Sequence, residues 1–236
     1  MTAAWLQQTP ERQRELLGLV SSQTGMTANA IEKDWWVTLS LYAVFQTEWA
    51  EHLVFKGGTS LSKSWGLIER FSEDIDLVLD RSVLGFEEDL SKNKVKQLRK
   101  ASCTFTSGPF RDAINHQLLS LGVPENQFSL IPKEVADSDT DPQVLKLNYA
   151  SVLEPSAYLK ESVLIEVGAR SLREPSEQKE ISSIISQHLS TGVGGNPFSI
   201  LTVTPVRTFL EKLFLLHEEF GKPNGQTRND RMSRHL

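Results

Sequence analysis

The chain has 236 residues, 25 Lys plus Arg against 30 Asp plus Glu (net charge −5) and 39% hydrophobic residues, the profile of an ordinary globular protein of one large domain or two small ones. A single cysteine, Cys103, excludes an intramolecular disulfide and a thiolate zinc site and fits a reducing, cytoplasmic compartment. The polar N-terminus and the lack of any apolar run near the roughly 20 residues of a membrane span argue against a membrane protein, and a pI near 5.6 excludes a chain basic throughout but not a local basic patch.

In chain order, Thr9-Pro10-Glu11 reads as a helix start: a hydroxyl at the N-cap, proline at N1 and an acid in the first turn. Thr27 caps a second helix. Val37, Leu41, Val44 and Phe45 form one apolar face of it, and Trp35, Leu39 and Tyr42 a second stripe, so burial on more than one side is expected. Of Trp35 and Trp36, one is expected in the core and the other half exposed. Residues 52–56 read as a strand ending in Gly57-Gly58, 59–68 as a helix and 74–79 as a second strand. The charged stretch 87–100 reads as helical, Ser107-Gly108-Pro109 as a break and 110–121 as another helix. Strands are expected at 128–131, 144–149, 163–167 and 198–203. A mixed region spans 174–197, and Pro205 opens a last helix to about Phe220. Strands mixed with helices, flanked by helices, predict an α/β (α+β) core.

One segment concentrates chemistry: Lys56-Gly57-Gly58-Thr59-Ser60-Leu61-Ser62-Lys63, then Arg70-Phe71-Ser72-Glu73-Asp74-Ile75-Asp76. Glycines between a strand and a helix let the backbone approach a ligand closely, and the helix start suits phosphate. Thr59 and Ser60 add hydroxyl donors, and Lys63 adds an ammonium one turn on. On a strand, Asp74 and Asp76 point to one face and Ile75 and Leu77 to the other. Two adjacent carboxylates call for a cation, and magnesium with triphosphate oxygens meets that need.

The strand–Gly-Gly–helix–strand unit with Asp-x-Asp resembles a nucleotidyltransferase of the DNA polymerase β type. More narrowly, it resembles the AbiEii/MenT toxin family of bacterial abortive-infection and toxin–antitoxin systems. Further stretches carry the narrower likeness: Glu32-Lys33-Asp34-Trp35-Trp36-Val37-Thr38, Val163-Leu164-Ile165-Glu166-Val167, and Arg207-Thr208-Phe209-Leu210-Glu211-Lys212-Leu213 with His217. The second motif glycine, Gly58, stands where the superfamily has serine, and the gap to Asp74 is longer than the minimal motif. Arg231-Met232-Ser233-Arg234-His235-Leu236 resembles the start of a family segment that continues into a Tyr-Asp-containing helix, so a further functional Asp is expected after Leu236.

The resemblance implies a polymerase β-type core with a mixed sheet and N-terminal helices over 1–204, and the start of a C-terminal helical domain over 205–236. It implies transfer of a nucleotide from an NTP to an acceptor hydroxyl, with two magnesium ions held by Asp74, Asp76 and Glu166. Gly57, Gly58, Thr59, Ser60, Lys63 and Lys212 would bind the nucleotide. Glu166 reads either as third metal ligand or base, or as an exposed acid on a half-buried strand. Lys212 reads as a phosphate contact or a solvated lysine, and Arg207 and Glu211 as a structural i, i+4 pair. The run Lys92, Lys94, Lys96, Arg99 and Lys100 is a solvated helix face or a landing strip for RNA phosphates. The histidines show no metal-ligand spacing. The resemblance further implies a cognate antitoxin partner and tRNA as acceptor. Two alternatives stay open: a non-catalytic nucleotide- or RNA-binding module acting through a partner, and a transferase that AMPylates protein.

Overall fold

The computed structural model describes residues 3–68, 72, 74–87, 90–133, 140–170, 173–190 and 192–221. Arg70, Phe71 and Glu73 of the motif, and the C-terminal stretch at 231–236, lie outside the described residues. Helix α1 (Pro10–Thr24) starts where the sequence predicts. The Thr9 hydroxyl accepts from the Arg12 N–H, and Gly25, left-handed at φ 73°, closes the other end on the Ser21 carbonyl. Helix α2 (Ala28–Val44) is capped by Thr27 through the Ala30 N–H.

Helix α2 is the axle of the fold. It packs against the sheet on one side and α1 on another, so every residue from Ala30 to Leu41 is buried. This corrects the expectation for the tryptophans: Trp35 and Trp36 are both fully buried. Trp35 sits edge-on to Trp36 at 5.2 Å, and Trp36 stacks on Tyr149 at 5.0 Å. Between Ala30 and Leu41 the enclosed helix has no half-exposed position to offer.

That enclosure also traps three consecutive charges, each of which is satisfied. Glu32 accepts from the Ser151 hydroxyl at 2.5 Å and the Val152 N–H at 3.0 Å. The Lys33 ammonium donates to the Lys160 carbonyl at 3.0 Å. Asp34 pairs with Lys63 at 2.6 Å and accepts from the Ile184 N–H at 2.8 Å. The 150–161 loop and two short helices, at Lys63 and at Ile184, are thereby tied to one helix.

The strands are β1 (Leu53–Lys56), β2 (Asp74–Leu79), β3 (Phe128–Pro132), β4 (Gln143–Tyr149), β5 (Ser162–Gly168), β6 (Ser176–Ile181) and β7 (Phe198–Val203). They form one mixed sheet in the order β3-β4-β5-β2-β1-β7-β6. Strand β2 runs antiparallel to β1 and parallel to β5, and β1 runs parallel to β7. Strand β6 lies within the region the sequence left as mixed. Its polar Ser-Glu-Gln-Lys-Glu run is tolerated because it forms a sheet edge against β7 alone. One sheet face, carrying Phe55, Ile75, Leu77, Ile165 and Leu147, joins the main core with α2. The other carries only a small apolar cluster of Val54, Val78 and Val203.

Helix α3 (Gly57–Lys63) is shorter than predicted. The chain turns at Gly66, φ 60°, and the Leu67 N–H returns to the Leu61 carbonyl, which ends the helix before Ile68. Helix α4 (Lys92–Phe105) begins at the Ser91 cap rather than at 87. The break predicted at 107–109 is a π turn over Thr106–Phe110 that passes directly into α5 (Arg111–Ser120). Pro109 lacks an N–H and would clash in a regular turn, and the wider turn relieves both problems. Helices α6 (Ile184–His188) and α7 (Pro205–Phe220) complete the chain. No helix of the described residues is long and apolar enough to cross a membrane.

Candidate active site

Strand β1 delivers the chain to Lys56, and Gly57 then takes φ 77° to start α3. A Cβ on Gly57 would lie 1.9 Å from Asp76 Oδ2 and 2.6 Å from its Cγ. Glycine is therefore required twice at this position, for the positive φ and for the space its missing side chain leaves to Asp76. The Asp76 carboxylate is held against bare backbone at the mouth of the Gly-Gly turn.

Register builds the rest. Lys56 on β1 is the partner of Asp76 on β2, and Asp76 is the partner of Glu166 on β5. Because partners across a ladder share a face, Lys56, Asp76 and Glu166 form a row across three strands, with Asp74 two residues along. Burial pushes the Asp76 carboxyl up to about 7. The charges of Glu166 and Asp74 push in the same direction, against the opposing pull of Lys56 and Lys212. The same balance locates Lys212 of α7 in the electrostatic neighbourhood of Asp76. Helix α7 is tied to the row through Glu211, which pairs with Lys56 at 3.3 Å and with Arg207 at 3.2 Å.

Lys56 stands in the motif, but the sequence alone assigns it no role. The signal available was its place directly before the glycines, and only strand pairing sets it against Asp76. Conversely, three of the expected nucleotide contacts have their side chains engaged inside the protein. The Thr59 hydroxyl donates to the Asp74 carbonyl and lies 2.8 Å from the Ser72 hydroxyl, and Ser60 donates to the Gly57 carbonyl at 2.8 Å. The Lys63 ammonium, almost fully buried, is bound to Asp34 and to the Ser182 carbonyl at 3.2 Å. Thr59 and Ser60 thus brace the Gly-Gly turn and the strand carrying Asp74, and Lys63 anchors the end of α3 to α2.

Of the basic run on α4, Lys92, Lys94, Lys96 and Lys100 are exposed and Arg99 is half-buried. Arg99 contributes, with Arg170 and Lys56, to the field that opposes the burial-raised pKa of Asp141. His116, His188 and His217 are exposed.

Among the described residues no three His, Cys, Asp or Glu side chains form a ready metal cage. The donors nevertheless suit magnesium. They are hard carboxylate oxygens at Asp74, Asp76 and Glu166, and the burial of Asp76 together with the charges of Glu166 and Asp74, which raise its pKa, is what a divalent cation relieves. Magnesium is commonly held by one or two carboxylates completed by substrate phosphates, which needs no preformed cage.

Among solved structures, the nucleotidyltransferase toxin MenT4 of Mycobacterium tuberculosis H37Rv is similar at 20% identity and a TM-score of 0.48, over 88% of this chain and 65% of that one. The chain thus spans a little under two thirds of MenT4. A search of curated protein sequences finds no match. The family model described as nucleotidyl transferase AbiEii toxin, type IV TA system, matches residues 40–236. That span takes in β1, the Gly-Gly turn, both aspartates, Glu166 and Lys212, and by this match the chain belongs to the AbiEii nucleotidyl transferase toxin family.

Proposed function

We propose that the chain is a magnesium-dependent nucleotidyltransferase that moves a nucleotide from an NTP to an acceptor hydroxyl on RNA, with tRNA as the acceptor. The observation that carries this reading is the Lys56–Asp76–Glu166 row set against the bare backbone of Gly57. Lys56 flanks one side of Asp76 and Glu166 the other. Asp74, Asp76 and Glu166 would hold the metal ions. Bound there, magnesium neutralises the carboxylates and the triphosphate and stabilises the departing pyrophosphate.

The chain's own residues do the remainder. Gly57 and Gly58 give the triphosphate access to main-chain N–H groups, and Lys56 and Lys212 offset its β- and γ-charges. Thr59, Ser60 and Lys63 hold the turn in shape rather than reach the ligand. The acceptor oxygen forms a bond to the α-phosphorus as the bond to the bridging oxygen breaks. Pyrophosphate leaves with that electron pair, and the hydroxyl proton passes to Glu166. The domain boundary is placed ahead of Pro205, so that α7 belongs to a helical part contributing Lys212. A toxin with this activity works in the cytoplasm, where NTPs and tRNA are, and is opposed by a cognate antitoxin, as expected of a type IV family.

The test is incubation with each labelled NTP, magnesium and total RNA, followed by sizing of the product. Label on RNA that is lost by about a thousand-fold in Asp76→Ala is the expected result. An Asp76→Ala protein that labels RNA as the parent does refutes the reading.

A further inference from the structure

Strand alternation extends the active face beyond Glu166. The partner of Glu166 on β4 is Val144; Lys146 and Asn148 follow on the same face, opposite Leu164 and Ser162. On the edge strand β3, Ile131 pairs with Lys146 and Ser129 with Asn148. Lys133 lies just beyond the strand, its N–H bonded to the Val144 carbonyl at 2.8 Å. The opposite face of β4 is fully buried, but Val144, Lys146 and Asn148 are partly exposed, and Ser129, Ile131 and Lys133 are exposed. Ile131 is 48% exposed. Asn148 donates to the Ser129 hydroxyl at 3.1 Å, and the Lys146 side chain makes no hydrogen bond or ion pair with the described residues. Among the described residues this half of the sheet is open, whereas the β1 half carries α7 through the Lys56–Glu211 pair.

In-line displacement places the entering oxygen and the leaving pyrophosphate on opposite sides of the α-phosphorus. Lys56, which Glu211 ties to α7, lies on the β1 side of Asp76 and Glu166 on its β5 side. Pyrophosphate therefore leaves toward β1, and the acceptor arrives over β5 and β4. We propose that the open face of β4 and β3 is the acceptor track, and that its occupant is a single-stranded RNA end; this rests on the transferase reading above. Lys146 and Lys133 meet backbone phosphates, Asn148 and Ser129 hydrogen-bond to ribose or base edges, and Ile131 packs beneath a base. A flat sheet face offering cations, an amide and an apolar side chain suits unstacked nucleotides.

The test reads binding without turnover. The anisotropy of a short fluorescein-labelled oligoribonucleotide is measured with the parent, Lys146→Glu, Lys133→Glu/Lys146→Glu, and Lys92→Glu/Lys94→Glu on α4, each checked by thermal melting. The expected result is a loss of about ten-fold for Lys146→Glu, a larger loss for the double variant, and a salt slope reduced by about 1 per lysine. The α4 variant is expected within about two-fold of the parent, as is the KM for NTP in Lys146→Glu. Unchanged RNA affinity in the β4–β3 double variant overturns the track, as does a loss confined to the α4 variant or transfer of label to protein alone. A parent that binds RNA through Lys146 yet never releases pyrophosphate sinks the transferase reading and leaves the track standing.

Discussion

Replacing Gly57 by alanine probes the tightest feature of the site. The new methyl carbon would sit 1.9 Å from Asp76 Oδ2 and 2.9 Å from its Cβ, on a backbone with φ 77°. An alanine in the left-handed region costs about 1–2 kcal/mol. Turning Asp76 off its rotamer to escape the methyl adds about 0.5–1.5 kcal/mol. The total of about 1.5–3.5 kcal/mol corresponds to a fall in Tm of roughly 3–14 °C for a chain of this size. The functional loss should be larger than the stability loss, because the displaced atom is a carboxylate oxygen of the site. A misplacement of about 1 Å costs on the order of a hundred-fold in rate. The assay is nucleotide transfer per folded molecule, measured well below Tm, beside a melting curve. Gly18→Ala is the control: its position is exposed, with nothing within 4 Å and no positive φ, so it should be stabilised by about 0.5–1 kcal/mol and keep full activity. A Gly57→Ala protein with parental transfer rate would refute the claim that Asp76 must stay seated against this turn.

Other perturbations have equally definite outcomes. Asp76 titrates at about 7 in the folded protein against 3.8 as a free side chain, so its neutral form favours folding. That contribution is complete below the unfolded value and is lost as pH rises from about 4 through about 7. In EDTA, the Tm of the parent minus that of Asp76→Asn should therefore fall across this window, and a flat difference rejects the assignment. Protons and magnesium compete for the same carboxylate, so the acid limb of the activity profile should move to lower pH as magnesium is raised, and an immovable limb rejects the metal role. Lys63→Met leaves Asp34 buried and unpaired and should cost about 3–5 kcal/mol in urea unfolding. Lys63→Met/Asp34→Leu should recover part of that loss, because Asp34 also holds the Ile184 N–H; a double variant no more stable than the single one refutes the pairing argument. Lys56→Met should raise the KM for NTP, with little change in melting, since its ion pair with Glu211 is partly exposed.

Much of the fold was legible because its signals are local. The caps at Thr9 and Thr27 and the proline at position 205 each act within a turn or two, and they mark the helices correctly. The six strands other than β6 were readable from alternation or β-branched runs; β6 was not, because an edge strand needs no apolar face. The paired tryptophans misled for a related reason. A helix pattern tells how wide the apolar stripe is, not how many partners surround the helix, and α2 is enclosed on every side.

The site divides along the same line. The sequence by itself determined the chemical inventory: a Gly-Gly turn, two carboxylates on one strand face, a third acid on another strand and a nearby set of lysines. It could do so because glycine's freedom and the two-residue period of a strand are properties of the chain segment alone. Only the tertiary structure decided how each group is used. Register between strands distant in sequence placed Lys56 and Glu166 on either side of Asp76. The folded position of α3 brought Lys63 to Asp34 of α2 in a buried pair, where an ammonium taken from water must find a carboxylate. Hydroxyls at Thr59 and Ser60, once buried, bonded to the backbone beside them, since an unpaired buried donor is costlier than a lost ligand contact.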